Sequence, residues 1–522
     1  MSIETTKRGL RPPNGSGFGC GGGHKEENGP RRPRDPFGMN RWFRSVRGRR
    51  FLVPVVVWLL CLSLAMPGPA VWALGLGDEK ELGRKILGQI RAHIPLVEDP
   101  AIVSYVQSVG NRIVRELGTT SYEYQFYVVD SSVPNAFAIP GGYIFVFRGL
   151  IEFMAGEGEL AAILSHEMAH IQGRHVHRQM DAGKVLTAAA LAGVLAGVLL
   201  GSATGNASAS PAVAMGSVAG SQALGLKYSR ENEQEADQLG LSYLSSAGYP
   251  PRDMVTVMQR LNDVKLRSNS RIPSYLSTHP DTGDRIQYLT DLCNKYPQKQ
   301  ASKNSKGRSS DFQLMQAGLI AEYGDTKVAR DRFDRPNPTL AETYGLARLY
   351  LRLGRTEEAV SYLLEAARKE PGSPFILCTL GNAYFRQGRL QDAQRVLQTC
   401  LKLDPSNSMA RYQLALVLQD QGNREEAVAQ LLKIEPMSAT FPEIDNRLGV
   451  LLGQVNRMGE AHYHLGRYYE SKQDFKVALF HYEKAKAMLK DSVQKIDELN
   501  ERIKEMKQYE KEAMMRKREK RR

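Results

Sequence analysis

Five residues of this 522-residue chain, His166-Glu167-Met168-Ala169-His170, have the types and spacing of a metal site with a base beside it. They lie in GEGELAAILSHEMAHIQGRH, and no proline occurs from Met154 through Ala209, so the stretch predicts a helix. One turn separates His166 from His170, which puts two imidazoles on one face where they can meet one metal ion. Glu167 is turned by about 100° from His166 and so sits beside that ion rather than on it. That is the place for a general base acting on water. The plainer alternative is an amphipathic helix that carries these side chains by chance.

A third ligand is needed, and SRENEQEADQLG (229–240) offers one. Its composition is helical, and Glu233 and Asp237 are spaced i, i+4 on one face. Glu233 can complete a His2Glu site, while Asp237 can accept the outer N–H of a ligand histidine and fix its tautomer. A solvated acidic face is the competing account of Glu231, Glu233 and Glu235. HExxH followed by E-x-E-A-D resembles the gluzincin peptidases that include the CAAX prenyl proteases and HtpX, over roughly residues 78–292. The resemblance implies a zincin-type metallopeptidase domain with one Zn2+ per chain on His166, His170 and Glu233, and Glu167 as general base.

Members of that family carry a His-Pro segment with a downstream arginine near the active site, and STHPDTGDRI (277–286) is similar. His279 then has two implied roles. It either stabilises the oxyanion of a tetrahedral intermediate or caps the metal as a fourth ligand, leaving a latent enzyme. A turn histidine before proline is the bland alternative. Arg285 and Asp237 are expected behind the ligands. His175 and His177 read as surface or supporting residues with no ligand role.

The elements that must position these groups are legible in outline. Residues 78–117 hold two amphipathic helical patterns, and YEYQFYVVD (122–130) has strand composition. NAFAI and YIFVF flank Pro140-Gly141-Gly142, which predicts a hairpin leading into the active-site helix. By resemblance one strand borders the cleft, where a free edge can hold an extended peptide. The apolar run VLTAAALAGVLAGVLL (185–200) opens a Gly/Ala/Ser-rich insert, 184–223, between the two ligand helices. As a helix it spans about 24 Å, short of a bilayer, so it is expected to pack on the domain or dip into a membrane surface. The metallopeptidase domain is placed at 74–297.

Downstream, QKQASKNSKGRSSD (298–311) reads as a polar linker, with a lead-in helix to 335. Gly354, Gly388 and Gly422 recur at one interval, as do Ala359, Ala393 and Ala427, and Pro371 and Pro405 share it. The interval and pattern are those of tetratricopeptide repeats, placed at 336–491, with a further copy at 465–485. Residues 436–458 read as a spacer or degraded repeat where the period slips. The fold class is therefore mainly α with a small β-sheet, a peptidase domain followed by an all-α solenoid with a concave surface for extended partners. Cys378 and Cys400 should lie close together, which makes a disulfide plausible; Cys293 reads as a partly buried small hydrophobe. His462, His464 and His481 are expected to be solvated or packed. Residues 492–522 form a charged helix and basic tail.

The net charge of +14 does not indicate nucleic acid. Residues 1–50 hold 12 Lys/Arg against 4 Asp/Glu and residues 501–522 hold 10 against 5, so the excess sits in the tails. The Gly/Pro/Arg-rich start, a basic segment, the apolar FLVPVVVWLLCLSLAM (51–66) and VWA at 71–73 predict a secretory signal cleaved after Ala73. Met39 is an alternative start, and an uncleaved anchor the alternative fate. The whole predicts a periplasmic zinc endopeptidase. Resemblance to the periplasmic, repeat-bearing members of the family implies unfolded or misassembled envelope proteins as clients and the outer-membrane assembly machinery as partner, with membrane-surface contact a further option. The competing class is a chaperone or scaffold with a latent or structural zinc site. A membrane-embedded relative of the prenyl-protein proteases is disfavoured by the lack of a series of spanning segments.

Overall fold

Asp99 shows how local sequence sets the first elements. In the computed structural model its carboxylate accepts from the backbone N–H of Ala101 (2.9 Å) and Ile102 (3.2 Å), and Pro100 fills the first turn, where no N–H is needed. The structure describes residues 76–181, 229–267, 274–279, 283–296, 305–489 and 493–519. The expected leader and the 184–223 insert lie outside the described residues. Helices α1 (Leu76–His93) and α2 (Pro100–Val114) match the two amphipathic patterns.

Strands β1 (Gln125–Val129), β2 (Ala136–Ile139) and β3 (Tyr143–Phe147) form one sheet in the order β1-β3-β2. β2 and β3 are the expected antiparallel hairpin, Ile139 opposite Tyr143, and β1 lies parallel to β3. Gly142, at φ +100°, is required at the turn because a Cβ there would lie 2.5 Å from the Glu123 carbonyl. Alternation along the strands serves two layers. Phe126, Val128, Ala138, Ile144 and Val146 face the helical core, while Tyr127, Phe137, Ile139 and Phe145 meet Ile86 and Ile90 of α1.

The chain continues through α3 (Arg148–Phe153), α4 (Glu157–Gln172), α5 (His175–Asp181), α6 (Arg230–Ser246), α7 (Arg252–Arg267), α8 (Ser274–Thr278) and α9 (Gly283–Cys293). α4 is the buried axis of this half, packed against α2, α6, α7 and β2. Gly240 lets α6 close on it, since a Cβ there would stand 3.2 Å from the His166 backbone.

Helix α10 (Ser305–Tyr323) begins inside the stretch expected to be linker, which corrects that expectation at 305–311. The physical reason is that α10 serves two cores. Phe312, Met315 and Leu319 join the peptidase core, and Leu314, Ala317 and Ile320 join that of the repeats. The joint is also polar. Tyr323 Oη accepts from the backbone N–H of Glu98 and Asp99 at 3.1 Å each, and Gln316 Nε2 donates to the carbonyls of Ile151 (2.9 Å) and Met154 (2.8 Å). Asp99, half-buried, also pairs with the buried Arg348 of the repeats.

After α11 (Thr326–Phe333) come α12 (Leu340–Arg352), α13 (Thr356–Lys369), α14 (Pro374–Arg386), α15 (Leu390–Leu403), α16 (Ser408–Asp420) and a short α17 (Arg424–Leu432). A 3-10 turn at Glu435–Ala439 leads to α18 (Glu443–Gln454), α19 (Met458–Ser471), α20 (Phe475–Met488) and α21 (Val493–Glu519). Gly354, Gly388 and Gly422 end the first helix of successive pairs at φ +75°, +71° and +85°. Asn456, one interval on, takes the same turn at φ +63°. The residues expected as a spacer or degraded repeat fit the second of these: they hold a helix, α18, and the turn keeps its interval, with an asparagine that tolerates this conformation in place of the glycine. α19 then pairs with both α18 and α20.

Cys378 and Cys400 do come together, Sγ to Sγ 3.3 Å, as free buried thiols rather than a disulfide. Cys293 is buried, and burial pushes its thiol up to about 11. His464 is buried against Asp445 at 2.7 Å, and His462 and His481 meet at 2.8 Å. Among the described residues no helix is long and apolar enough to cross a membrane.

Candidate metal centre

α4 presents His166 and His170 one turn apart, and the ring of His170 brings its Nε2 to 3.0 Å from that of His166. α6, capped by Ser229 through the backbone N–H of Asn232, brings Glu233 from the other side. Its carboxylate lies 3.5 Å from His166 Nε2 and 3.4 Å from His170 Nε2. His279, just past α8, closes the group with Nδ1 at 3.0 Å from Glu233 Oε1 and 3.3 Å from His166 Nε2. The donor atoms of these four residues all lie within 4.8 Å of one another, and all four are buried. Three imidazoles and a carboxylate converging in a dry site are a donor set that suits a divalent ion, zinc above all.

The surrounding charges fit the same ion. Arg285 donates to both Asp237 oxygens (2.8 and 2.7 Å) and approaches Glu233 Oε2 at 2.7 Å. Asp237 in turn lies 3.1 Å from His166 Nδ1, which leaves Nε2 of that ring for the cluster. Burial alone raises the Asp237 carboxyl, but Arg285 and His166 hold it below the usual range. Burial alone lowers His166, yet hydrogen bonds to Asp237 and Glu233 lift it to about 9, so these carboxylates call for positive charge between them. Burial keeps His170 well below the ordinary imidazole range, which suits a neutral ligand.

Glu167 is fully buried, and burial pushes its carboxyl up. Among the described residues neither of its oxygens has a hydrogen-bond partner; its neighbour is His279 Nε2, at 3.4 Å from Oε1. His279 stacks on Tyr275, ring centroids 4.5 Å apart. It is thus wedged between the ligand cluster and Glu167.

The structure brings together all seven residues singled out at the site: His166, Glu167, His170, Glu233, Asp237, His279 and Arg285. It also settles His175, read as surface or supporting, on the supporting side, and adds Glu235. His175 is buried, with Nδ1 at 2.7 Å from His170 Nδ1, and Glu235 lies 3.3 Å from its other nitrogen. The one available hint was the histidine five residues after a ligand histidine, just past a glycine.

Two helical histidines, a glutamate from a second helix and a glutamate beside them define an HExxH-type metallopeptidase, here joined to a helical repeat solenoid. The model of peptidase family M48 matches residues 100–292, and tetratricopeptide-repeat models match 340–383, 378–440 and 459–488. This chain is a metallopeptidase with an M48 domain followed by tetratricopeptide repeats. The beta-barrel assembly-enhancing protease of Escherichia coli (strain K12) is 28% identical over 361 residues, 68% of this chain and 72% of that protein. A putative beta-barrel assembly-enhancing protease of Vibrio cholerae serotype O1 is 29% identical over 347 residues, 61% of this chain and 69% of that one. The mitochondrial metalloendopeptidase OMA1 of Schizosaccharomyces pombe is 31% identical over 185 residues, 35% of this chain and 51% of its own.

Proposed function

We propose that the chain is an exported, zinc-dependent endopeptidase of the cell envelope that degrades misfolded or stalled exported proteins, outer-membrane proteins among them. The convergence of His166, His170, Glu233 and His279 beside a buried Glu167 whose oxygens make no hydrogen bond among the described residues carries this reading. His166, His170 and Glu233 hold the ion. When bound, zinc supplies a Lewis acid that polarises the scissile carbonyl and lowers the pKa of water to about 7. Glu167 takes a proton from water as its oxygen adds to the carbonyl carbon, and passes one to the leaving amine as the C–N bond breaks. Burial raises its carboxyl, the direction that favours holding a proton between the two transfers. β2 is an edge strand that packs against α4, a setting in which an extended client can add as a further strand.

The repeats hold the client or the assembly machinery. Supporting this is a groove of about 870 Å³ between α1 and the last helices, lined by Arg84, Arg91, Arg467, Glu470 and Arg502 among others. The names of the relatives support a setting in β-barrel assembly.

The buried contacts of His279 with Glu233 and His166 would let it hold the metal as a fourth ligand in the resting chain, in place of water. This same observation favours the second reading, a chaperone or scaffold whose zinc site is latent or structural, because structural zinc sites have four protein ligands and no open one. One experiment separates them. His279→Ala and the wild type are assayed on an unfolded exported protein, each as zinc-loaded, chelated and zinc-restored samples. The proposal expects cleavage lost on chelation, regained with zinc, and several-fold faster in His279→Ala. Slower cleavage by His279→Ala would assign His279 to the oxyanion instead, and no cleavage by either protein would leave the scaffold reading.

A further inference from the structure

His170 can bind a metal through Nε2 only if its proton sits on Nδ1. Something must hold it there, because a free imidazole exchanges between tautomers. For His166 the holder is Asp237, itself gripped by Arg285. For His170 the contact at its outer nitrogen among the described residues is another imidazole, with His175 Nδ1 at 2.7 Å.

Two ring nitrogens at that distance share one proton, and the rest of the contact decides who donates. His175 Nε2 faces Glu235 Oε2 at 3.3 Å, and the same oxygen receives Arg178 at 2.8 Å. This is an ion-pair approach rather than a formed hydrogen bond, but a carboxylate facing a ring nitrogen accepts and cannot donate, so it favours the His175 proton on Nε2. That leaves a lone pair on His175 Nδ1, which accepts from His170 Nδ1–H. The lone pair of His170 is then directed through Nε2 into the ligand cluster. The order Arg178–Glu235–His175–His170 parallels Arg285–Asp237–His166, with an imidazole interposed.

The backbone is shaped to make this contact. Arg174 stands at φ +50°, an uncommon conformation for a side-chain-bearing residue, and turns the chain back between α4 and α5. Gly173 is obligatory beside the ring, since a Cβ there would lie 2.4 Å from His175 Nε2. The turn thus tucks the ring beneath His170, where it is fully buried.

We infer that His175, held by Glu235, is a positioning residue that fixes the tautomer and ring orientation of the metal ligand His170. This rests on the reading that His166, His170 and Glu233 hold the metal. The test is the Zn2+ affinity of the full chain, measured by competition with a chelating dye, for wild type, His175→Leu, His175→Gln and Glu235→Ala. Absorption of the Co2+ forms and thermal melting of the apo forms accompany it. His175→Leu should weaken binding by about 10- to 100-fold, as loss of an outer hydrogen-bond partner does, and alter the Co2+ spectrum while the apo melting point stays close to wild type. His175→Gln, whose amide oxygen can accept from His170 Nδ1–H, should recover most of the loss. Glu235→Ala should weaken binding toward the lower end of that range, and it decides the matter if His175→Leu does not fold. Unchanged affinity in His175→Leu or Glu235→Ala, or no recovery in His175→Gln, overturns the inference while the metal site stands. A wild-type chain that binds neither ion removes the metal reading and the inference with it.

Discussion

Around His166 each polar side chain meets partners from far along the chain: His279 is 113 residues away and Arg285 reaches back 48 residues to Asp237. Around Ala393 the packing is between helices adjacent in sequence, and the fit relies on small residues. Gly381 is one such, since a Cβ there would lie 2.7 Å from Leu397. The metal centre is built of buried charge that is tolerable only when complete, whereas the repeats are built of near-equivalent contacts between neighbours. Damage should therefore be abrupt in the first region and graded in the second.

The largest effect on stability is expected from Arg285→Met. It strands the Asp237 and Glu233 carboxylates in a dry site, and breaking a buried pair from one side costs about 3–5 kcal/mol. Urea unfolding of the apo protein measures it, and added zinc should restore part of the loss by replacing the missing positive charge. A loss below about 1 kcal/mol would mean that the site is not held by charge complementarity at all.

The joint between the two regions should behave like the metal centre. Asp99 both caps α2 and pairs with Arg348. Burial raises its carboxyl, but Arg348 and the two backbone N–H groups outweigh this and hold it below the usual range. Its folded value thus lies below the unfolded one, so its contribution is present above about pH 4 and fades as pH falls through the folded value. Asp99→Asn should remove about 3 kcal/mol at pH 7 and progressively less as pH falls below about 4. Asparagine keeps the helix cap, so unfolding curves at several pH values should show the gap closing with the ion pair; a gap independent of pH would contradict the ion-pair account.

The smallest effect belongs to the solenoid. Asn456 occupies a left-handed turn that Gly354, Gly388 and Gly422 fill in earlier pairs. Asn456→Gly should relieve strain worth some tenths of a kcal/mol up to about 1 kcal/mol, with no change in metal affinity. A small rise in melting temperature is expected, and a fall would show that the Asn456 side chain contributes more than its backbone conformation costs.

The same contrast governs what could be read in advance. HExxH and E-x-E-A-D are local patterns, so the two ligand helices and their in-facing residues were legible, as was the hairpin from Pro140-Gly141-Gly142. The small-residue interval exposed the repeats for the same reason. Three features were not legible. The start of α10 looked like linker because residues 305–311 are polar and the apolar part that follows serves two different cores, so no single stripe marks where the helix begins. α18 was hidden because Asn456 replaces the glycine that marks the interval. For His175 the choice between surface and supporting residue stayed open, because its contact with His170 depends on the turn at Gly173 and Arg174, which spacing alone does not reveal.

The central claim is that the buried cluster is a working peptidase centre with Glu167 as its base, and one comparison tests it most directly. Wild type and Glu167→Gln, both zinc-loaded to the same level, are given an unfolded exported protein, and the rate of new amino termini is measured. The account predicts equal metal content and a rate lower by about 10²- to 10⁴-fold in the variant, the usual contribution of general acid–base catalysis. Equal rates in the two proteins would contradict it, because the cleavage would then owe nothing to the carboxylate that the fold buries beside the metal.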